Sequence, residues 1–362
     1  MSLMSSRIAY FISPHGFGHA ARAASVMEAL GSMDSSIRFD IFTTVPAWFF
    51  KDNLGNSFNY HHLQADLGLA QKTPFQEDYS KTIQGLNQLL PYDASRVTTI
   101  SHHLQKLKSK MVICDIAPMG LLVARAAGIP SVLVENFTWD WLYENYGAVD
   151  GRIEAHIEYL RSLFEMADVH IQTEPLCNPK SVDLCAGPAS RKIKSPALEV
   201  RQKLGLAVND TLVLITTGGV PYDYQSIEKL KDRQNAHFVI PCNCRVTKTD
   251  HNVILLPHHS DFFHPDLTNA ADAVIGKTGY STIAEIYHAG VPFGYIPCPN
   301  NPESAMLAAF IESRMAGSEI SEMEFQDGSW LSQLNGLLDR AHIKRNDPNG
   351  ADQIAEFVLD LL

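Results

Sequence analysis

The stretch "GKTGYSTIAEIYHAGVP", residues 276–292, places a glycine-bearing turn between an apolar run and a helical pattern. The apolar run before it predicts a buried strand that ends at Ile275. The turn then leads into a predicted helix over residues 281–289, and "VPFGYIP" (291–297) predicts the next strand. A strand, a helix and a second strand in this order are typical of a parallel sheet with crossover helices.

The start of this predicted helix is a candidate anion site, because the first N–H groups of a helix have no partner inside it. Ser281 or Thr282 is expected to cap the helix, and the glycine turn lets a ligand approach the backbone closely. Glu285 lies one turn later on the same face. Phosphate is the ligand that this pattern favours, although Thr282 and Glu285 also fit a capping box, which requires no ligand.

Short apolar runs alternate with helical patterns along the rest of the chain, which predicts two doubly wound, Rossmann-like α/β domains facing across a cleft. The other clear strand patterns cover residues 7–12, 37–44, 111–115, 129–136, 210–219, 236–242 and 252–257. Helical patterns include residues 19–30 and 78–108. The predicted boundaries are 4–178 for the N-terminal domain, 179–196 for a proline-bearing linker, 197–347 for the C-terminal domain and 348–362 for a last helix that packs back on the N-terminal domain.

The composition argues against two classes of partner. The chain has 362 residues and a formal net charge of −11, so nonspecific binding to nucleic acid or to an anionic membrane is not expected. No apolar run reaches the roughly 18 residues that a transmembrane helix needs. The N-terminus carries no signal-peptide pattern, and peripheral association with a membrane stays open.

The six cysteines are scattered and form no disulfide framework, which favours a reducing, cytoplasmic location. Cys242 and Cys244 lack a second ligand pair at zinc-ligand spacing. No metal site is therefore predicted.

The C-terminal pattern resembles that of a known family. "GKTGYSTIAEIYHAGVPFGYIP", followed by "NPESAML", resembles the nucleotide-sugar motif of GT-B glycosyltransferases, in particular UDP-glycosyltransferases and the peptidoglycan N-acetylglucosaminyltransferase. The resemblance implies that Glu285 binds ribose and Glu303 binds the donor sugar. It implies that the donor diphosphate contacts Thr278, Gly279, Ser281 and Thr282. Many relatives carry glutamine where this chain has Ser304, which leaves the donor sugar open.

Three stretches also resemble a narrower group. "PHGFGHAAR", "ICDIAPMGLLVARAAGIPSVLVENFTWDWLYENY" and "GKTGYSTIAEI" are together similar to the glycosyltransferase-like N-terminal region of plant L-arabinokinases and to standalone bacterial proteins of that type. The resemblance covers most of residues 7–312. It does not extend to a sugar-kinase domain, so L-arabinokinase activity is not implied.

Glycosyl transfer needs a base for the acceptor hydroxyl, and histidine is suited to this because its ordinary pKa lies near neutral. His19 follows the turn between Gly16 and Gly18 and starts the first predicted helix, where relatives with a catalytic histidine place it. His15 is the competing residue. Asp115 ends the strand "MVICD" and is the predicted partner that fixes the tautomer of His19, although it could instead cap the following loop.

The leaving diphosphate needs charge stabilisation, which we expect from the helix start together with Gly218, Gly219 and Lys277. His258 and Phe262 are predicted to hold the base of the nucleotide. The stretch "ENFTWDW" (135–141) offers Asn136 and Trp139 to an acceptor, unless the tryptophans pack between helices.

Arg22 lies one turn beyond His19 on the same predicted helix. It is expected to contact a donor phosphate or an acidic acceptor, or else to lie on a solvated helix face. With His15, Gly16 and Gly18, it completes the predicted acceptor side of the cleft.

The sequence thus predicts a metal-independent, inverting glycosyltransferase that uses a nucleoside diphosphate sugar, preferably a UDP-sugar, as co-substrate with no further cofactor. The acceptor is not identified. A nucleotide-sugar hydrolase or 2-epimerase on the same fold is one alternative, and a non-catalytic nucleotide-sugar-binding module is another.

Overall fold

The computed structural model of the chain describes residues 6–147, 150–219, 222 and 224–362. Met4, the predicted first residue of the N-terminal domain, lies outside them. Two seven-stranded sheets, each covered by helices, form two α/β domains. The predicted fold class, two doubly wound Rossmann-like domains, is confirmed. No helix in the described part of the chain is long and apolar enough to cross a membrane.

The described part of the first domain contains nine strands. These are β1 (Arg7–Ile12), β2 (Arg38–Thr43), β3 (Phe58–His62), β4 (Gln71–Thr73), β5 (Gln76–Glu77), β6 (Met111–Asp115), β7 (Ser131–Glu135), β8 (Val169–Thr173) and β9 (Leu184–Ala186). Its helices are α1 (Gly18–Met33), α2 (Ala47–Leu54), α3 (Tyr79–Leu89), α4 (Ala94–Leu107), α5 (Pro118–Ala127), α6 (Trp139–Gly147) and α7 (Glu154–Phe164). The main sheet is parallel in the order β3-β2-β1-β6-β7-β8-β9, and β4 and β5 form a separate antiparallel hairpin.

The second domain repeats this plan. Its strands are β10 (Leu212–Thr216), β11 (His237–Cys242), β12 (Lys248–Asp250), β13 (Val253–Pro257), β14 (Ala273–Lys277), β15 (Phe293–Ile296) and β16 (Gly317–Glu319). The helices after the first domain are α8 (Ala197–Lys203), α9 (Ile227–Lys231), α10 (His264–Ala270), α11 (Tyr280–Ala289), α12 (Pro302–Arg314), α13 (Glu322–Asp327), α14 (Leu334–Leu338) and α15 (Gly350–Leu359). The sheet order is β12-β13-β11-β10-β14-β15-β16, with only β12 antiparallel among the described strands.

Among the described parallel strands, the order reverses once in each sheet, between β1 and β6 in the first and between β10 and β14 in the second. Helices cover both sides of a parallel sheet, so its central strands are buried on both faces. The sequences of such strands, for example β1 and β10, are therefore nearly continuous apolar runs. Ligands of open α/β sheets bind where the strand order reverses, beyond the carboxyl ends of the strands. The fold therefore places the candidate site at the loops after these four strands.

Two details differ from the sequence patterns. The predicted helical region 78–108 consists of two helices, α3 and α4. Pro91 lies two residues after the end of α3, and a proline cannot continue a helix. The stretch 179–196 contains β9, which pairs with β8 in the first sheet.

The last helix, α15, packs against the first domain. Its apolar face is buried with residues of α1 in one core, in which Ile354 and Val358 are both 0% exposed. Asn349 caps α15 by accepting a hydrogen bond from the Ala351 N–H. The end of the described chain thus returns across the domain boundary and joins the two domains a second time.

Candidate functional site

Glycine turns from the two domains meet at the cleft. Gly16 and Gly218 adopt φ values of +61° and +66°, which favour glycine. A Cβ on Gly16 would lie 3.6 Å from the Gly218 carbonyl oxygen, and a Cβ on Gly18 would lie 3.8 Å from Ser281 Oγ. The loop after β1 and the loop after β10 are therefore in van der Waals reach of each other across the cleft.

Two cavities adjoin between the domains and share Gly218, Ser281 and Thr282. The larger has a volume of about 110 Å³, and its walls include Phe17, Trp48, Arg191, His258, Phe262 and Glu285. The smaller has a volume of about 70 Å³, and its walls include His19, Arg22, Lys277, Thr278, Glu303 and Ser304. Both cavities thus open onto the start of α11. We call the larger the aromatic cavity and the smaller the polar cavity.

Helix α11 begins differently from the predicted pattern. Its N-cap is Gly279, which has no side chain, so the prediction that Ser281 or Thr282 caps the helix is wrong. Both residues lie in the first turn, where the hydroxyl of Ser281 faces the cleft and the backbone N–H groups have no partner within the helix. No acidic side chain lies in this turn. A helix start of this kind attracts an anion.

Thr278 and Ser304 hold the loop beside that helix start. Their hydroxyl oxygens are 2.5 Å apart, and Ser304 Oγ also accepts a hydrogen bond of 2.8 Å from the Cys298 N–H. Both residues are buried. Ser304 therefore stabilises the loop after β15.

His19 and Asp115 come together across the top of the first sheet. His19 follows β1 and Asp115 ends β6, and these strands are neighbours, so both residues lie at one edge. His19 Nδ1 is 3.2 Å from Asp115 Oδ1. An Nδ1–H donated to this carboxylate leaves Nε2 unprotonated and able to accept a proton.

Arg22 is buried in the wall of the polar cavity. It is 1% exposed, so a solvated helix face is excluded, and its guanidinium pairs with Asp115 through hydrogen bonds of 2.8 Å from Nε and 2.7 Å from Nη2. Burial alone raises the pKa of Asp115, but Arg22 and the hydrogen bond from His19 outweigh it and hold that pKa below its ordinary value. Asp115 is therefore ionised at neutral pH.

Asn136 connects Arg22 to the second domain. Its Oδ1 accepts a hydrogen bond of 2.7 Å from Arg22 Nη1, and its Nδ2 donates one of 3.1 Å to Glu303 Oε1. Asn136 is 0% exposed and follows β7, the strand next to β6. Burial raises the pKa of Glu303, and the hydrogen bond from Asn136 opposes that shift.

Glu285 lines the aromatic cavity and has two side-chain partners, Arg191 and His264. Its Oε1 accepts a hydrogen bond of 2.8 Å from Arg191 Nε, and its Oε2 accepts one of 2.7 Å from His264 Nδ1. These contacts replace the capping box with Thr282, which does not form. Burial raises the pKa of Glu285, but Arg191 and His264 outweigh it and lower the pKa below its ordinary value. Glu285 is thus an ionised hydrogen-bond acceptor.

The aromatic cavity contains the two residues predicted to bind the base. His258 Nε2 donates a hydrogen bond of 3.1 Å to the Gly219 carbonyl oxygen, and its ring centroid is 5.4 Å from that of Phe17. Burial lowers the pKa of His258, so the imidazole is neutral. Phe262 forms another part of the same wall.

His15 and Trp139 are engaged inside the first domain. His15 Nδ1 accepts a hydrogen bond of 3.2 Å from the Leu69 N–H. Burial, with a smaller contribution from Lys277, lowers the pKa of His15 to about 3. Trp139 is 0% exposed and donates its Nε1–H to Asp66, so the expectation that it presents an exposed ring to an acceptor is wrong and the packing alternative holds.

Lys277 brings a positive charge to the polar cavity. Its side chain passes within 3.2 Å of a Cβ built on Gly218 and within 3.9 Å of one built on Gly279. Within the described part of the chain, the ammonium group of Lys277 forms no hydrogen bond or ion pair. Its ammonium group is therefore available to an anionic ligand at the start of α11.

Residues 6–147, 150–219, 222 and 224–362 contain no cluster of three or more histidine, cysteine, aspartate or glutamate side chains that could hold a metal ion.

Sequence reasoning missed Arg191 and His264, the partners of Glu285. Arg191 lies in the stretch 179–196, where a single arginine gives no signal of a site. His264 starts α10 and is one of several scattered histidines. Only the tertiary fold brings these side chains to α11.

Comparison with known proteins gives distant relatives. No protein-family model matches the chain. The chain is 25% identical over 357 residues to L-arabinokinase of Arabidopsis thaliana, covering 97% of this chain and 34% of that protein, and so spans about a third of its length. It is 24% identical over 268 residues to the uncharacterized glycosyltransferase MK0977 of Methanopyrus kandleri, covering 70% of this chain and 76% of that one.

Solved structures share the fold over nearly all of the chain. Medicago truncatula UGT71G1, solved in complex with UDP-glucose, superposes with a TM-score of 0.64 at 12% identity and covers 98% of both chains. This likeness establishes the arrangement of the two Rossmann-like domains around a cleft.

Proposed function

Because the chain has the GT-B fold, as its sequence motifs predict, we propose that it is an inverting glycosyltransferase that moves a sugar from a UDP-sugar to an acceptor hydroxyl. The observation that carries this proposal is the polar cavity, which is lined both by His19 and by the start of α11. A base and an anion site on opposite walls of one cavity are the two groups that glycosyl transfer needs.

The donor diphosphate binds at the start of α11 in this proposal. Backbone N–H groups at Ser281 and Thr282 and the turn at Gly218 and Gly219 stabilise its charge. Lys277 adds a positive charge. It stabilises the diphosphate more strongly as negative charge builds up on this leaving group. These groups belong to the protein, so we infer that turnover needs no metal ion.

The nucleoside occupies the aromatic cavity. The ionised Glu285 accepts hydrogen bonds from the ribose hydroxyls, and Arg191 and His264 keep its carboxylate in place. The base lies against the wall that contains His258 and Phe262. Two neutral or apolar rings suit a flat, uncharged base such as uracil.

The sugar occupies the polar cavity, where Glu303 contacts its hydroxyls. The acceptor oxygen attacks the anomeric carbon and passes its proton to His19 Nε2. The bond between that carbon and the diphosphate oxygen breaks, and its electron pair stays on the diphosphate. Asp115 stabilises the imidazolium that forms. Attack on the face opposite the diphosphate inverts the anomeric centre.

A thermal-shift screen of nucleoside diphosphates and their sugars tests the donor site, because a ligand of the folded state raises its melting temperature. We expect UDP and UDP-sugars to give the largest shifts. The absence of a shift with every UDP and GDP compound would contradict the assignment of α11 as the donor site.

Turnover of the UDP-sugar that binds best tests the chemistry. We expect His19→Ala to lower kcat by roughly 10²- to 10⁴-fold while UDP affinity is retained. His102→Ala, an exposed position on α4, is the matched control. Chelation of metal ions with EDTA should leave the wild-type rate unchanged.

The products separate the alternatives. Release of free sugar without an acceptor indicates a hydrolase, and conversion of the donor to its C2 epimer indicates a 2-epimerase. UDP binding with no consumption of any UDP-sugar indicates a binding module.

A further inference from the structure

Arg22 forms a chain of contacts that the proposed reaction does not by itself require. Its guanidinium occupies both oxygens of Asp115, so Asp115 Oδ1 is shared between Arg22 Nη2 at 2.7 Å and His19 Nδ1 at 3.2 Å. A bidentate arginine fixes the plane of a carboxylate, which a single hydrogen bond does not. Arg22 therefore determines where Asp115 presents an oxygen to His19.

The same guanidinium reaches the second domain by two routes. Arg22 Nη1 donates to Asn136 Oδ1, and Asn136 Nδ2 donates to Glu303 Oε1 on α12. Arg22 Cζ also lies 4.6 Å from the ring centroid of Tyr280, the first residue of α11. The two routes end at the sugar side and at the diphosphate side of the polar cavity.

Burial makes these contacts interdependent. Arg22 and Asp115 are 1% and 0% exposed, and an arginine keeps its charge in proteins. A buried guanidinium that loses a partner carries a large desolvation cost, so its hydrogen bonds form as a set. Withdrawal of Glu303 and Tyr280 would remove the interdomain members of this set.

We propose that Arg22 is a positioning residue that couples closure of the donor domain to the orientation of the His19–Asp115 pair. When the domains close, Glu303 orders Asn136, and Asn136 and Tyr280 hold Arg22 against Asp115. The base is then oriented only when the donor domain is in place, which limits attack by water on an incompletely enclosed sugar. This coupling rests on the proposed function, because it acts on the base of that reaction.

The charged and titratable groups that face Arg22 come from several elements. They are Tyr10 on β1, His19 on α1, Asp115 on β6, Glu135 on β7, Cys177 in the loop after β8, Tyr280 on α11 and Glu303 on α12. Lys277 acts on Glu303 from β14. Changes in a pH profile must therefore be compared among variants that alter only one of these groups.

Three variants test the coupling. Arg22→Lys keeps the positive charge but cannot form the bidentate hydrogen bonds to Asp115. Arg22→Met removes the charge. Asn136→Ala leaves the Arg22–Asp115 pair in place but breaks its link to Glu303. We expect kcat to fall roughly tenfold to a hundredfold in all three, with the donor KM within about threefold of the wild type. Arg125→Met, at an exposed arginine on α5, is the control and should match the wild type.

The pH dependence of kcat/KM distinguishes a positioning role of Arg22 from a purely structural role, because a structural defect would not shift this dependence. Without Arg22, the full charge of Asp115 acts on His19, so the acid limb of kcat/KM should move to higher pH in Arg22→Met and stay near the wild type in Arg22→Lys. The effects of Asn136→Ala and Arg22→Lys should not add, because both break one set of contacts. A wild-type kcat in both Arg22→Lys and Asn136→Ala would overturn the proposal, and these two variants decide it if Arg22→Met does not fold.

Nuclear magnetic resonance separates failure of this inference from failure of the proposed function. The His19 ring resonance, assigned by its loss in His19→Ala, can be recorded at one pH with and without UDP. We expect its chemical shift to change more on addition of UDP in the wild type than in Asn136→Ala. This result needs no turnover, so it tests the coupling even if no UDP-sugar is consumed. An identical response in both proteins would contradict it.

Discussion

Asp66 is a buried carboxyl group beside the cleft that lies outside the proposed catalytic pair. It is 2% exposed, accepts a hydrogen bond of 2.8 Å from the Leu67 N–H and accepts another from Trp139 Nε1. The Trp139 ring in turn lies 5.7 Å from the His19 ring. Burial raises the pKa of Asp66 to about 7, against the hydrogen bonds that lower it. Asp66 thus titrates near neutral pH beneath the site.

We expect this raised pKa to make the wild-type protein less stable as the pH rises. Between pH 4 and pH 7 the folded protein keeps a proton on Asp66 that the unfolded chain releases, so stability is full below the unfolded pKa and is lost as the pH approaches 7. The contribution is on the order of 4 kcal/mol. Asp66→Asn removes the titration, so its free energy of unfolding should fall less than that of the wild type between pH 5 and pH 8.

Urea unfolding at the two pH values measures this difference. Asp34→Asn, at a carboxylate near the surface with a lowered pKa, provides the control. This carboxylate is ionised in both the folded and the unfolded protein from pH 5 upwards, so the variant should lose as much stability between the two pH values as the wild type. Equal changes in the wild type and in Asp66→Asn would show that Asp66 does not hold a proton in the folded state.

Sequence patterns could predict residues at strand ends, among them the pair His19 and Asp115, but not partners that lie elsewhere in the fold. His19 and Asp115 follow neighbouring parallel strands, so their approach could be anticipated from the strand order alone, and their catalytic roles stay predictions. Arg22 was placed on the correct helix, but its burial depends on Asn136 and Tyr280, which are more than a hundred residues away in sequence. No local pattern encodes such contacts.

At the scale of single elements, the start of α11 combines two opposing electrostatic demands. A helix is stabilised by acidic side chains in its first turn, yet α11 has none there. Ser281 and Thr282 stand at the positions where an aspartate would favour the helix. The absence of acidic side chains is expected if this turn must accept an anion.

Ser281→Asp should therefore change stability and binding in opposite directions. We expect the melting temperature without ligand to stay equal or rise, in line with a gain of about 0.5 kcal/mol from the helix dipole. UDP affinity should fall by at least roughly tenfold, because the new carboxylate repels the diphosphate. Thermal unfolding and isothermal titration calorimetry measure the two effects.

Ser281→Asn is the matched control, because it has the same size without the charge. It should bind UDP within about threefold of the wild type, and the gap between the two variants should narrow at high salt. Equal loss of affinity in both variants would point to steric exclusion and would contradict an anion site.

The elements themselves were predictable where the sequence period is strong. The apolar strands and the helix after Gly279 follow from local patterns. The predicted cap of α11 is wrong because Gly279 and Ser281, two positions apart, both fit an N-cap. The hairpin formed by β4 and β5 gave no signal, since its strands have three and two residues. Short strands are set by tertiary contacts more than by propensity.

At the scale of the whole molecule, this hairpin connects the two domains. Phe75, between β4 and β5, is 2% exposed and lies in an apolar core of the second domain. Its ring centroid is 5.7 Å from those of Tyr222 and Phe325. Asn301 Nδ2 donates a hydrogen bond of 3.2 Å to Glu77 Oε1 at the end of the hairpin. The hairpin therefore closes one side of the polar cavity while anchored in the other domain.

Phe75→Ala should weaken this closed arrangement. Removing the ring leaves a cavity in the second domain's core and costs about 3 kcal/mol where the site does not collapse. Because the ring belongs to the first domain, part of this cost falls on the contact between domains. We expect a larger radius of gyration in small-angle scattering, together with a lower kcat/KM for the donor.

Phe58→Ala is the matched control, because Phe58 packs within the first domain against Phe50 and does not reach the second. It should lower the melting temperature and leave both the radius of gyration and kcat/KM near the wild type. If Phe75→Ala changes stability alone, as the control does, the hairpin packs on the second domain without holding the cleft closed. An effect on scattering and on kcat/KM that saturating UDP reverses would instead show that the donor and Phe75 stabilise the same closed state.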